Sequence, residues 1–199
     1  MNLSTEIAVP TQSDVPVMSV FGWIIIQQRL GWSFNWNRNW DGYRNGFGSI
    51  DADFWLGLQQ MHLLTSSQPY RLRFELQQRT TDLWYSAEYW SFKIGDGPTD
   101  KFRIDLAGYS GDAGDTFEYE GDHNNNGYYG MYYNNGMKFS THNYDNDLFD
   151  DNCAAVRLGG WWHKACFWAC LTCQWDFFEW RSLSVSSLLS NSRMMIKPQ

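Results

Sequence analysis

Two stretches of the chain alternate apolar and polar positions. In Tyr70 to Gln77, Leu72, Phe74 and Leu76 are separated by Arg71, Arg73 and Glu75. In Lys101 to Leu106, Phe102, Ile104 and Leu106 alternate with Arg103 and Asp105. Period two sends one set of side chains to a buried face and the other to water, so both stretches predict strands. Between them, ring-rich Trp84 to Phe92 is compatible with a third strand. Gly22 to Arg29 (GWIIIQQR) sets three consecutive isoleucines between polar ends and predicts a short buried strand. Met194 to Lys197 predicts a closing strand before Pro198. The best helical pattern runs over Asp51 to Leu64. There Phe54, Leu58 and Met61 recur at i, i+4 and i+7 with Trp55 beside them. Asp51 and Asp53 would then lie in the first turn, where the helix dipole favours negative charge. His62 on that helix reads as structural.

The remaining segments lack a clean period. Leu30 to Gly48 mixes rings with Asn and Gly and predicts a loop, with turns at Asp41-Gly42 and Asn45-Gly46. Gly108 to Asp115 is turn-rich. Gly121 to Gly136 is a biased Asn/Gly/Tyr stretch that predicts a length-tolerant loop. The first 20 residues are polar and Pro-interrupted and read as an arm, leaving residues 21–199 as one domain. No repeat of fixed period appears.

Composition changes this picture in two ways. With 12 Trp, 11 Tyr and 13 Phe among 199 residues, the chain holds more ring surface than a core readily hides. Either part of it is exposed for recognition, or rings replace Leu and Val inside. The net charge of −7 argues against nucleic acid or an anionic membrane as the main partner, since phosphate binding needs a basic face. No apolar run approaches the roughly 20 residues of a membrane span. The first residues carry neither a basic n-region nor a long apolar run, so no signal peptide is read there.

Candidate chemistry concentrates in Thr141 to Cys166. Asp145, Asp147, Asp150 and Asp151 fall within seven residues, and four carboxylates this close need a counter-cation, wide solvation or raised pKa values. Asp145-x-Asp147 offers hard oxygen ligands on alternate residues of a turning chain, as calcium loops do; the alternative is a solvated acidic turn. It is not an EF-hand, because Asp150 stands where that loop requires Gly and Val156 where it requires Glu. Four cysteines, Cys153, Cys166, Cys170 and Cys173, allow three disulfide connectivities. Cys170-x-x-Cys173 also has the spacing of zinc ligands.

Taken in order, several motifs resemble the fibrinogen C-terminal domain family, the fibrinogen-related domains of fibrinogen chains, ficolins, tachylectins, angiopoietins and tenascins. They are WIIIQQR at Trp23 to Arg29, FNWNRNWDGYRNGFG at Phe34 to Gly48, FWLG at Phe54 to Gly57, HLLT at His62 to Thr65 and SFKIG at Ser91 to Gly95. Ala87-Glu88-Tyr89, Gly108 to Asp115, NGMKFST at Asn135 to Thr141, Asp145 to Cys153, Trp161-Trp162 and Met194 to Pro198 complete the set. The resemblance covers nearly the whole chain and implies an α+β fold. A central antiparallel sheet would carry a few helices, and an irregular C-terminal region would hold the calcium and ligand sites. It implies Ca2+ bound by the side chains of Asp145 and Asp147 and the backbone carbonyls of Phe149 and Asp151, and a Cys153–Cys166 disulfide. It further implies a secreted, non-enzymatic recognition domain for glycans, acetylated groups or proteins, which oligomerises through segments outside this chain.

Departures from the family pattern also matter. No cysteine precedes Cys153, so the N-terminal subdomain reads as truncated. Phe167 stands where acetyl-binding members carry His, and Arg157 where they carry a pocket aromatic. An apolar wall of Trp161, Trp162, Phe167 and Trp175 is the expected ligand surface. Cys170 and Cys173 have no family counterpart. The rival readings are a carbohydrate-active enzyme using Asp112 with Asp115 or Asp145 with Asp147, and an intracellular zinc module using all four cysteines.

Overall fold

The structure is a computed structural model that describes residues 19–117, 133–166, 168–183 and 186–199. Its centre is an antiparallel sheet. In chain order the strands are β1 (Ser19–Val20), β2 (Trp23–Arg29), β3 (Phe47–Gly48), β4 (Phe54–Trp55), β5 (Tyr70–Gln78), β6 (Trp84–Ile94), β7 (Ile104–Gly111), β8 (Ala169–Cys170), β9 (Glu179–Trp180) and β10 (Leu189–Pro198). The helices are α1 (Trp40–Asn45), α2 (Leu58–Ser67), α3 (Gly97–Asp100) and α4 (Cys153–Arg157). The main sheet runs β3-β4-β2-β10-β5-β6-β7, with β1 also paired to β2, and β8 and β9 form a separate pair. The α+β expectation therefore holds.

Alternation places β5 as the pattern predicts. Tyr70, Leu72, Phe74 and Leu76 are buried, while Arg71, Arg73 and Glu75 reach the outer face and share Glu88 and Arg193 in ion pairs. The closing strand is not an edge. β10 lies between β2 and β5, so Met194 and Ile196 enter the core from the middle of the sheet. Ser19–Val20, the end of the predicted arm, pairs with Trp23 and Ile24. In β2 the polar end is buried too: Gln27 donates to Ser192 Oγ at 3.1 Å, and Gln28 to the Ala52 carbonyl at 2.9 Å. These bonds remove the desolvation cost that buried amides would otherwise incur.

Three expectations need correction. The helix predicted from Asp51 begins instead at Leu58. Gly57 adopts φ +104°, which ends any helical path from upstream, and Phe54-Trp55 pair with Gln28 and Gln27 as β4. Asp53 accepts the Leu30 N–H at 2.7 Å instead of serving a helix N-terminus. The Leu30–Gly48 stretch contains a helix, α1, whose first turn is capped by Asn39 accepting from Gly42 N at 2.9 Å. The strand predicted from Lys101 begins at Ile104, because Lys101 and Phe102 both take left-handed backbone. The predicted loop at Gly121 to Gly136 falls largely outside the described residues.

Candidate functional site

The acidic loop is built on a narrow frame. Thr141 and Tyr144 exchange backbone hydrogen bonds, and Ser140 does so with Trp161, which anchors the loop entrance to the core. Asn146 turns inward, its amide donating to the Phe139 carbonyl at 2.7 Å and its N–H to Ser140 Oγ at 2.9 Å. That inward turn leaves Asp145 and Asp147, its two neighbours, on the outer side. Asn152 closes the loop twice: its amide donates to the Thr141 carbonyl at 3.0 Å, and its Oδ1 caps α4 by accepting from Ala155 N at 2.9 Å. An Asn immediately before a short helical run is the signal for that cap.

Asp147 is the constrained carboxylate. Its Oδ1 accepts from Phe149 N and its Oδ2 from Cys153 N, both at 2.9 Å, while its own N–H donates to Asp145 Oδ1 at 3.2 Å. Burial, reinforced by the neighbouring Asp145 charge and only partly offset by the two N–H donors, pushes its carboxyl up to about 6. Asp150 and Asp151 are exposed beyond it. Two carboxylates on alternate residues, one half-desolvated and each repelling the other, form a donor set suited to a hard cation.

The loop exit is covalently tied. Cys153, the first residue of α4, is disulfide-bonded to Cys166, with a Cα–Cα distance of 4.9 Å. Cys170 and Cys173 form a second bridge, leaving no free thiol, so the four-cysteine zinc reading is overturned. Near that second bridge, His163 is fully buried, its Nε2 3.2 Å from the Gly159 carbonyl and 4.0 Å from Cys173 Sγ. Burial pushes its pKa down to about 4, so the ring is neutral. From the sheet side, buried Arg29 donates to the Cys173 carbonyl at 2.5 Å and the Leu171 carbonyl at 3.3 Å, fastening the Cys170–Cys173 turn to the end of β2.

The expected ring wall is corrected by burial. Trp161 and Trp162 are both 0% exposed. Trp162 packs on Phe139, Trp161 and Trp55 and donates its Nε1–H to the Phe102 carbonyl at 2.7 Å. Trp175 stacks on Trp32 at 3.8 Å and carries the Arg79 guanidinium 3.6 Å from its centroid, so its ring faces are already covered. Phe167 lies outside the described residues. Arg157 is buried with its guanidinium 3.9 Å from the Phe177 ring. The open rings lie elsewhere, with Trp32, Trp84 and Trp90 each more than half exposed.

The carboxylates of the enzyme reading serve the fold. Asp112 accepts from Ser86 N at 2.6 Å, and Asp115 accepts from Tyr89 Oη at 2.6 Å and Phe117 N at 2.9 Å.

Residues 14–199 match the family model of the fibrinogen beta and gamma chains, C-terminal globular domain. The chain belongs to this family. Fibrinogen-like domains of this kind are non-enzymatic ligand-binding domains, which removes the enzyme reading. Angiopoietin-related protein 1 of Bos taurus is 38% identical over 144 residues, covering 72% of this chain. The match takes in 26% of that protein, so the chain corresponds to about a quarter of its length. Among solved structures, the fibrinogen-like globe domain of human ANGPTL2 is similar with a TM-score of 0.77 and 32% identity, over 94% of this chain and 82% of that one. Lamprey fibrin D-dimer, complexed with the peptide Gly-His-Arg-Pro-amide, gives a TM-score of 0.83 and 28% identity over 95% and 67%. Among the described residues no helix is long and apolar enough to cross a membrane.

Proposed function

We propose that this fibrinogen-like domain is an extracellular recognition domain that binds a glycan or protein partner in a calcium-dependent way. The observation that carries the calcium reading is Asp147: a half-buried carboxylate, tied by two backbone N–H groups, facing Asp145, with its pKa raised. A charge pair held in that state is relieved by a divalent ion. Asp145 and Asp147 would supply carboxylate oxygens, and Phe149 and Asp151 backbone carbonyls. When bound, the ion supplies positive charge and rigidity.

The two disulfides fit an oxidising, extracellular compartment. The Cys153–Cys166 bridge and Asn152 hold the loop exit, so ordering by the ion propagates to the neighbouring surface. A partner then meets a preformed site and avoids part of the ordering cost of about 0.5–1.5 kcal/mol per immobilised side chain. Oligomerisation through segments outside this chain would raise avidity by roughly 10²–10⁴.

The test is a glycan and acetylated-ligand array, with a panel of extracellular proteins, probed in calcium and in chelator. Signals present in calcium and lost in chelator support the reading. Signals indifferent to chelator, in a protein whose melting temperature calcium does not move, overturn it.

A further inference from the structure

We propose that the cleft between α1 and the Gly97–Phe102 turn binds an acidic saccharide, a pyranose bearing a carboxylate or sulfate. This rests on the recognition reading above and names a ligand class and a place for it. The cleft measures about 290 Å³ and is lined chiefly by Trp40, Arg44, Gln59, Lys101, Phe102 and Tyr144. That volume suits one sugar ring, since sites for larger ligands run from about 300 to 1,000 Å³. Its floor is aromatic. Trp40 and Tyr144 lie 4.6 Å apart between centroids with planes tilted by 43°, and Trp40 lies 5.7 Å from Phe102. Two rings tilted in this way offer apolar faces to the C–H side of a pyranose.

The charge of the cleft is opposite to that of the chain. The protein carries −7, yet the charged residues lining this cleft are both cations, Arg44 and Lys101. Neither takes part in an ion pair among the described residues, although Arg71, Arg73, Arg103, Arg181 and Arg193 all do. Lys101 Nζ lies 5.5 Å from the Tyr144 ring centroid and donates to the Pro98 carbonyl at 2.9 Å, which leaves two further N–H groups on the ammonium.

Backbone strain marks the same place. Lys101 (φ 50°) and Phe102 (φ 53°) are consecutive non-glycine residues in left-handed backbone, a conformation that costs energy and persists only where surroundings enforce it. Here the enforcement is visible. Phe102 N donates to the Asp96 carbonyl, Phe139 N donates to the Lys101 carbonyl, and Trp162 Nε1 donates to the Phe102 carbonyl. The result turns Phe102 into the core and carries Lys101 to the cleft. Trp40 N donates to Asn143 Oδ1 at 3.0 Å, and Tyr144 directly precedes Asp145, so the cleft borders the acidic loop.

The experiment titrates the whole domain with a sulfated, glucuronate-containing chondroitin disaccharide by calorimetry. N-acetyllactosamine is the neutral control, and a sulfotyrosine peptide the competing class. Each titration is run in calcium and in chelator, and melting temperatures are recorded in parallel. The expected result is saturable disaccharide binding that weakens with salt. Arg44→Gln with Lys101→Asn should weaken it by about tenfold or more. Asn is chosen at 101 because it tolerates positive φ. Tyr144→Ala alone should also weaken binding, with the melting temperature of either variant retained. No saturation at millimolar disaccharide, equal binding of the neutral sugar, retention of affinity in the charge variant, or binding of the sulfotyrosine peptide alone overturns the proposal. Calcium-induced thermal stabilisation without disaccharide binding removes this site and leaves the calcium reading standing. Disaccharide binding lost in the variants, with no calcium effect, does the reverse.

Discussion

Asp145→Asn should change stability in opposite directions with and without calcium. Without the ion, Asp145 faces the half-buried Asp147, whose carboxyl is raised from 3.8 to about 6. At face value that difference is worth about 3 kcal/mol, but Asp147 is half-exposed, and solvent screening brings it to the order of 1 kcal/mol. Burial is the larger cause and the Asp145 charge a lesser one, so neutralising Asp145 recovers about 0.3–0.5 kcal/mol. The Asn side chain still presents an oxygen to the Asp147 N–H. For a domain of this size the apo melting temperature should rise by about 1–2 °C. With the ion the variant lacks a ligand. Extracellular calcium modules bind at about 10⁻⁴–10⁻³ M, so roughly 10 mM calcium stabilises the parent by about 1.4–2.7 kcal/mol. That corresponds to a rise of about 3–11 °C, which the variant should lose. Differential scanning calorimetry of both proteins in calcium and in chelator reads all four values. An equal calcium-induced rise in parent and variant would refute the ligand assignment, and a lower apo melting temperature in the variant would refute the repulsion argument.

Three further outcomes follow from the packing. The His163 pKa is pushed from 6.5 to about 4, so the folded state resists protonation while the unfolded chain accepts it. Stability is complete above pH 6.5 and should fall by up to about 3 kcal/mol as pH drops towards 4; urea midpoints in calcium should show this, and His163→Gln should flatten the curve. Calcium is specified because the raised pKa of apo Asp147 has the opposite sign, relieving a penalty as pH falls through 6. Gly48 has φ +89° and an added Cβ would sit 2.1 Å from the Asp53 carbonyl oxygen, whereas Gly136 at φ +74° has nothing within 4 Å. Gly48→Ala should cost roughly 3 kcal/mol or more and Gly136→Ala about 1 kcal/mol in chemical denaturation. Replacing Cys153 and Cys166 with Ala opens a loop of separation 13 and should cost about 3 kcal/mol, against about 2 kcal/mol for the Cys170–Cys173 pair of separation 3.

The sheet was largely legible because each alternating strand has one wet face. β5 announces itself this way, and β2 by its run of three isoleucines, all of them buried. The misplaced helix start shows the limit of periodicity. Phe54 fits the helical spacing of Leu58 and Met61, but it is buried by pairing with Gln28 across the sheet, and only the +104° backbone of Gly57 separates the two. Near Lys101, alternation named the buried residues correctly and the backbone incorrectly, since Phe102 is buried from a turn and not from a strand. The acidic loop was legible because Asp145 and Asp147 are near neighbours in sequence. The Trp40, Lys101 and Tyr144 cleft was not, because three separated segments meet there and none carries a local signal.

The abundance of tryptophan is better explained by the irregular core than by ligand binding. The turns and short helices outside the main sheet bury backbone carbonyls that no ladder satisfies, and each needs a donor. A leucine core cannot provide one. An indole supplies a large apolar area and one N–H together. Trp55 donates to the Tyr43 carbonyl, Trp162 to the Phe102 carbonyl and Trp180 to the Gly114 carbonyl, all at 2.7–3.0 Å. Tyr43 does the same and more, donating to the Trp36 carbonyl at 2.6 Å and accepting from Gly160 N at 3.1 Å. The Trp162, Trp180 and Gly160 bonds join residues 60, 66 and 117 positions apart, while the Trp55 and Tyr43 donor bonds are local, 12 and 7 positions apart. The Gly160 and Trp162 bonds flank Trp161, whose backbone pairs with Ser140 at the entrance to the acidic loop. On this view Trp161 and Trp162, both fully buried, support the acidic loop and the Lys101 turn from the core side. The Trp162 indole N–H fixes the Lys101–Phe102 turn. Trp161 contributes apolar packing, its own N–H having no hydrogen-bond partner among the described residues, and the exposed ring faces belong to other residues.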